Sequence, residues 1–274
     1  ANHGASAHRR GLMPFADVNG TRLHYLDVGP RGGAPLVMLH ALGTNLHLWD
    51  AVLPHLPDGL RIIRVDLRGH GQSDAPPAPY SMGALITDTE QLMDHTGFKD
   101  AMFVGLSIGG MIAQGLAVKR LDLIRTMVLS NTAAKIGNPQ LWADRIAAVN
   151  AQGIDALADN VMERWFAKGF RTGPDVEMWR NMVVQQSTDG YAGCCAAISG
   201  TDFYTPTSGL RLPTLGIAGS DDGSTPADLV RETVDLIPGS QFHLIRKAGH
   251  LPCVEQPIEY AQVLTDFMRS TGHI

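Results

Sequence analysis

Residues 101–110, AMFVGLSIGG, decide the reading of this chain. An apolar run ends at Gly105-Leu106-Ser107-Ile108-Gly109, and a helix-like pattern begins with the same residues. Gly-x-Ser-x-Gly between a strand and a helix places the serine on a tight, strained turn. Bulky side chains two residues to either side would clash there, so glycine is required at both positions. The following helix points its free N–H groups and positive dipole end at the serine oxygen. Ser107 is therefore the candidate nucleophile.

Working outward, short apolar runs recur at 35–40 (PLVMLH), 61–66 (RIIRVD), 126–131 (TMVLSN), 213–219 (PTLGIAG) and 241–245 (QFHLI). Most do not alternate polar with apolar residues, which is the texture of strands covered on both faces in a parallel sheet. FADV and TRLHYLDV flank Asn19-Gly20, a favoured pair for a two-residue hairpin turn. Helical patterns are read at 81–96, with Ser81 as N-cap, at 108–119 and at 255–269. The alternation predicts an α/β fold with a mostly parallel, doubly wound sheet.

Between residues 133 and 205 the alternation stops. Helical texture continues there, broken at Gly137-Asn138-Pro139, Gly153, Gly173-Pro174 and Gly190, and it holds Trp142, Trp165 and Trp179. The expected organisation is a core of residues 13–132 and 206–274, with a helical cap at 133–205 inserted between strands. Residues 1–12 are read as a flexible N-terminal extension and Met13 as a natural start.

A serine hydroxyl needs a neighbouring base. On this kind of sheet the partners follow in the order Ser, Asp or Glu, His. PTLGIAGSDDGSTP ends a strand in a loop carrying Asp221 and Asp222, and QFHLIRKAGHLPCVEQP ends another in a loop carrying His250. Of 11 histidines, His250 alone follows the last strand in a Gly-His loop, whereas His243 lies inside that strand. Asp222 is preferred to Asp221 as the acid on loop geometry, Asp221 being read otherwise as a loop cap or surface charge. Acyl transfer also needs donors for the developing oxyanion. The backbone N–H groups of Ile108 and Leu42 are the candidates.

Composition removes other classes. The chain has 274 residues, 44% hydrophobic and 18% charged, enough for a sizeable core. A net charge of −5 with interspersed signs leaves no nucleic-acid-binding face. No apolar run reaches the roughly 18 residues of a membrane span, and residues 1–12 lack the apolar stretch of a secretory signal. The cytoplasm is therefore the expected compartment. Three cysteines, Cys194, Cys195 and Cys253, make no disulfide framework and are read as buried apolar side chains. The histidines show no metal-ligand spacing, so no metal is expected. The Gly-rich stretch VDLRGHGQSD (65–74) lacks phosphate-loop spacing and is read as structural.

DLRGHGQSD, GLSIGG and the late AGH together resemble the α/β-hydrolase superfamily over nearly all of residues 13–272. VLSNTAAKIGNPQLWADRI (128–146) and YAGCCAAI (191–198) are similar to the 3-oxoadipate enol-lactonases of bacterial aromatic-compound breakdown. Ala41 departs from the superfamily pattern, where glycine often follows the histidine. The resemblance implies hydrolysis of 4-oxoadipate enol-lactone to 3-oxoadipate without a cofactor, on a small-molecule lactone or ester. That lactone carries a free carboxylate. Arg145 lies three residues after Trp142, on the same helix face. Trp142 is expected to pack on the ligand and Arg145 to pair its carboxylate; a cap-core tryptophan and a surface arginine are the alternative. A general carboxylesterase or perhydrolase, a carbon–carbon bond hydrolase and a non-catalytic receptor remain open. Ser107 at the elbow disfavours dehalogenases and epoxide hydrolases, which resemble this fold with Asp there.

Overall fold

A computed structural model describes residues 15–274. The expectations of a flexible extension at 1–12 and a start at Met13 lie outside the described residues. Eight strands form one sheet: β1 (Phe15–Val18), β2 (Thr21–Val28), β3 (Ala34–Leu39), β4 (Leu60–Val65), β5 (Ala101–Leu106), β6 (Ile124–Ser130), β7 (Thr214–Gly219) and β8 (Gln241–Ile245). Their order is β1-β2-β4-β3-β5-β6-β7-β8. β1 pairs antiparallel with β2, and β2 antiparallel with β4; every pairing from β4 to β8 is parallel. The hairpin turns at Asn19 and Gly20, with φ of 50° and 70°, the double positive φ that Asn-Gly tolerates.

The apolar runs became strands because both of their faces are covered. All six residues of β5 are buried. The first two helices of the core are α1 (Met82–Thr96) and α2 (Ile108–Lys119). Ser81 caps α1 by accepting from the Ala84 N–H, and Gly97 ends it at φ 72°. The helix read at 255–269 is instead two pieces, Pro252–Glu255 and Pro257–Ser270. Gln256 between them sits at φ −133°, ψ 61°, because the ring of Pro257 disfavours helical backbone at the residue before it.

Between β6 and β7 lie six α-helices: α3 (Pro139–Gln152), α4 (Ala158–Trp165), α5 (Lys168–Arg171), α6 (Val176–Val184), α7 (Thr188–Ser199) and α8 (Tyr204–Ser208). α9 (Ala227–Asp235) follows β7, and α10 (Pro252–Glu255) and α11 (Pro257–Ser270) follow β8. Trp142, Trp165 and Trp179 are all buried, so the inserted helices have an apolar interior continuous with the main core. The three cysteines are free and buried. No described helix is long and apolar enough to cross a membrane. The β5–α2 junction and the loops after β6, β7 and β8 all open at the carboxyl end of the parallel strands, where ligands bind in sheets of this kind.

Candidate active site

Ser107 stands between β5 and α2 at φ 57°, ψ −117°, a strained conformation for a residue with a side chain. The sequence around it permits the strain. A Cβ on Gly105 would come within 2.3 Å of the Gly109 carbonyl oxygen, and one on Gly109 within 2.3 Å of the Leu39 carbonyl oxygen. The elbow is fastened to its neighbour strand: the Ser107 N–H donates to the Ser130 carbonyl at 3.0 Å, and the Thr132 hydroxyl donates to the Ser107 carbonyl at 2.6 Å.

His250 and Asp222 meet across the loops after β8 and β7. His250 Nδ1 is 2.9 Å from Asp222 Oδ2. The same oxygen accepts from the Thr225 hydroxyl at 2.8 Å and from Asn131 Nδ2 at 3.0 Å. Oδ1 accepts from the Ser224 and Thr225 N–H groups at 2.8 and 3.1 Å. Burial alone would raise the Asp222 carboxyl, but the charge and hydrogen bond of His250, then Asn131 and the Thr225 N–H, outweigh it and hold the group below its usual value. An ionised Asp222 can only accept, so Nδ1 carries a proton, which in a neutral imidazole leaves the lone pair on Nε2. Asp221 is exposed, and its N–H donates to the Ala248 carbonyl at 2.8 Å. His243 pairs with Glu259 at the surface, 3.1 Å away.

Ser107, His250, Leu42, Trp142 and Arg145 line one small cavity, with Arg164, Trp165 and Tyr191. No hydrogen bond joins Ser107 Oγ to His250 among the described residues, although both line the same cavity. The N–H groups of Leu42 and Ile108 have no acceptor among the described residues, so both are available to an incoming oxygen. A larger groove of about 420 Å³ lies elsewhere, lined by Asp159, Glu163, Lys168, Arg171 and Arg180 among others. It contains no nucleophile–base pair, and the chemistry therefore points to the smaller cavity. Among the described residues no group of three or more His, Cys, Asp or Glu side chains is placed to hold a metal ion.

The Arg145 guanidinium carbon lies 4.6 Å from the centre of the Trp142 ring, and Trp142 Nε1 donates to the Ile136 carbonyl at 2.7 Å. Neither Arg145 nor Arg164 has a carboxylate partner among the described ion pairs. Burial, and then the charge of Arg145, push the Arg164 guanidinium down, while burial pushes the Tyr191 phenol up to about 12. Two cations without a carboxylate side-chain partner therefore line one cavity beside Ser107.

Sequence reasoning did not find Arg164, Tyr191, Asn131 or Thr225. Asn131 carried one usable signal: it directly follows β6 at the carboxyl end of a parallel strand. Arg164 adjoins a buried tryptophan in a short helix, and nothing local distinguishes it.

The strained serine, the carboxylate–imidazole pair and the sheet order define a member of the α/β-hydrolase class. The chain belongs to the α/β hydrolase fold family, whose pattern matches residues 34–257. It is 33% identical over 249 residues to 3-oxoadipate enol-lactonase 2 of Acinetobacter baylyi, covering 90% of this chain and 93% of that protein. The enol-lactonase from Burkholderia xenovorans superposes with a TM-score of 0.90 at 35% identity, over 93% of this chain and 100% of that one. A hydrolase from Pseudomonas aeruginosa gives the same TM-score, 0.90, and identity, 35%, over 94% of this chain and 99% of that one.

Proposed function

We propose that the chain hydrolyses a carboxylate-bearing lactone by an acyl-enzyme route, the substrate being 4-oxoadipate enol-lactone and the product 3-oxoadipate. Ser107 is the nucleophile, His250 the base and Asp222 the orienting acid. His250 Nε2 takes the Ser107 proton as Oγ attacks the lactone carbonyl, while Asp222 stabilises the imidazolium. The N–H groups of Leu42 and Ile108 hold the oxyanion. Collapse breaks the ring C–O bond, and the leaving enol oxygen receives the proton from His250. Water then gives its proton to His250 as it attacks the acyl carbon, and Ser107 leaves with that proton. The released enol becomes a ketone. No cofactor is required.

The inserted helices at 133–205 act as a cap. They supply Trp142, which packs on the ligand, and Arg145, which pairs its carboxylate, with Arg164 beside it. The observation that carries this substrate class is the pair of arginines without acids in the wall next to Ser107. The enol-lactonase relatives support the specific lactone.

A general carboxylesterase would share the triad but have no use for two cations at the site. Specificity constants for the enol-lactone and for a neutral aryl acetate separate the readings. The expected result is a preference for the lactone by more than about tenfold, the effect of one charge-assisted hydrogen bond. A preference for the neutral ester would replace the lactonase reading with the esterase.

A further inference from the structure

The stretch 65–74 gives no atom to the triad, yet it is bonded to the loop that carries Leu42. The Gly43 N–H donates to His70 Nε2 at 2.9 Å. The Leu46 N–H donates to Asp66 Oδ1 at 2.8 Å. In the other direction, the Leu67 N–H donates to His40 Nε2 at 2.9 Å. These bonds tie residues 40–46 to residues 66–70 on both sides of Leu42.

A backbone N–H can only donate, so Nε2 of His40 and of His70 must each be unprotonated and each proton must sit on Nδ1. His40 Nδ1 then donates to the Ala41 carbonyl at 2.8 Å. That oxygen also accepts from the Thr44 hydroxyl at 2.7 Å and the Thr44 N–H at 3.1 Å. The Ala41 carbonyl and the Leu42 N–H belong to one trans peptide plane and point in opposite directions. Holding the oxygen therefore aims the N–H. The next plane carries the Gly43 N–H, and His70 holds it. His40 and His70 are 0% and 1% exposed, with ring centres 5.3 Å apart.

We propose that His40 and His70 are positioning residues of the oxyanion hole: His40 fixes the peptide plane that presents the Leu42 N–H, and His70 fixes the plane after it. The proposal rests on the reading of Leu42 as an oxyanion donor. An oxyanion hole accelerates acyl transfer because its donors are aimed before the charge develops. Residues 41–45 belong to no strand or helix, so that aim has to come from side chains. On this view the Arg-Gly-His-Gly stretch builds the second half of the oxyanion hole.

The test compares His70→Leu, which removes the acceptor, with His70→Gln, whose carbonyl oxygen can still accept. Turnover of an aryl acetate and inhibition by phenylboronic acid, which forms a tetrahedral anionic adduct on the serine, are measured for each, with thermal unfolding as a control for folding. In His70→Leu, kcat is expected to fall about 10- to 100-fold, below the loss for a deleted donor. Boronate affinity should fall in step, KM should move far less, and His70→Gln should recover most of both losses. A folded His70→Leu with wild-type boronate affinity overturns the proposal, whatever its kcat.

Nitrogen NMR of the imidazoles in the wild-type protein keeps the proposal testable if His70→Leu does not fold. Nε2 of both histidines should be unprotonated at neutral pH, and the Gly43 N–H should couple to His70 Nε2. A protonated Nε2 on either ring overturns the proposal. Failure of the underlying reading looks different: the wild type would form no boronate adduct, and Ser107→Ala would keep its turnover.

Discussion

At the scale of single residues, Asp222 and Asp221 are adjacent and chemically identical, yet their surroundings give them different work. Asp222 is enclosed by donors from β6, its own loop and the His250 imidazole; Asp221 faces solvent. Asp222→Asn should lower kcat by orders of magnitude, since an amide no longer fixes the imidazole tautomer, and Asp221→Asn should do far less. The reverse ranking in steady-state kinetics would move the acid to Asp221. Ser107→Ala should abolish hydrolysis while the unfolding transition stays in place, because only one hydroxyl is lost. The depressed Asp222 carboxyl also makes a pH statement. Its folded-state value lies below the unfolded value of 3.8, so its stabilising contribution is complete above that value and is lost as pH falls through the folded one. The stability gap between wild type and Asp222→Asn, from urea midpoints, should stay constant from pH 7 to about pH 4 and narrow as the pH falls further. A gap independent of pH would contradict the charge role. The three residues proposed as a triad could be picked out of the sequence because each follows closely on a strand end. Asn131 and Thr225 could not, since their part depends on strand neighbours that only the sheet brings together.

At the scale of elements, one carboxylate joins the insertion to the loop that carries His250. Glu255, at the end of α10, accepts from the Ala167 N–H after α4 at 3.0 Å and from the Gly249 N–H at 2.6 Å. The Trp165 carbonyl accepts from the His250 and Leu251 N–H groups at 2.9 and 3.3 Å. Segment 165–167 and loop 249–251 thus form one bonded unit, and movement on one side is felt at His250. Glu255→Ala leaves two sheltered N–H groups without acceptors, at a cost of about 1–3 kcal/mol each. Urea unfolding should register a loss of that order, and kcat should fall on lactone and aryl ester alike. A variant as stable and active as wild type would remove the latch. The strands here were readable because burial on both faces leaves long apolar runs. The α10–α11 break was missed because Pro257 fits the first turn of a helix as comfortably as it ends the segment before it. In the insertion, the breaks read at Gly137-Asn138-Pro139, Gly153 and Gly173-Pro174 fall at helix ends, whereas Gly190 lies in the first turn of α7, and the shortest helices were not separated because their boundaries depend on packing.

At the scale of the whole molecule, the proposed function has the substrate chosen where two separately built parts face each other. The sheet delivers Ser107 and His250; the insertion delivers Arg145 from α3 and Arg164 from α4. The convergence of these arginines is a property of the assembled fold, so only Arg145, next to Trp142 on one helix face, could be singled out from the sequence. If the pair receives a carboxylate, its removal should act on the acid-bearing substrate selectively. A charge-assisted hydrogen bond in a sheltered site is worth about 1.5–3 kcal/mol, roughly ten- to hundred-fold in a specificity constant. Arg145→Ala should lower the ratio of specificity constants, enol-lactone over neutral aryl acetate, by that order. Arg164→Ala should lower the same ratio. The double variant should fall short of the product of the two effects, because both cations act on one anion and neighbours that share a partner do not add. The ratio cancels damage to the fold or the triad, which would slow both substrates together. A ratio unchanged in both single variants would mean that the arginines are held for the architecture of the insertion, and that the lactone carboxylate is recognised elsewhere or not at all.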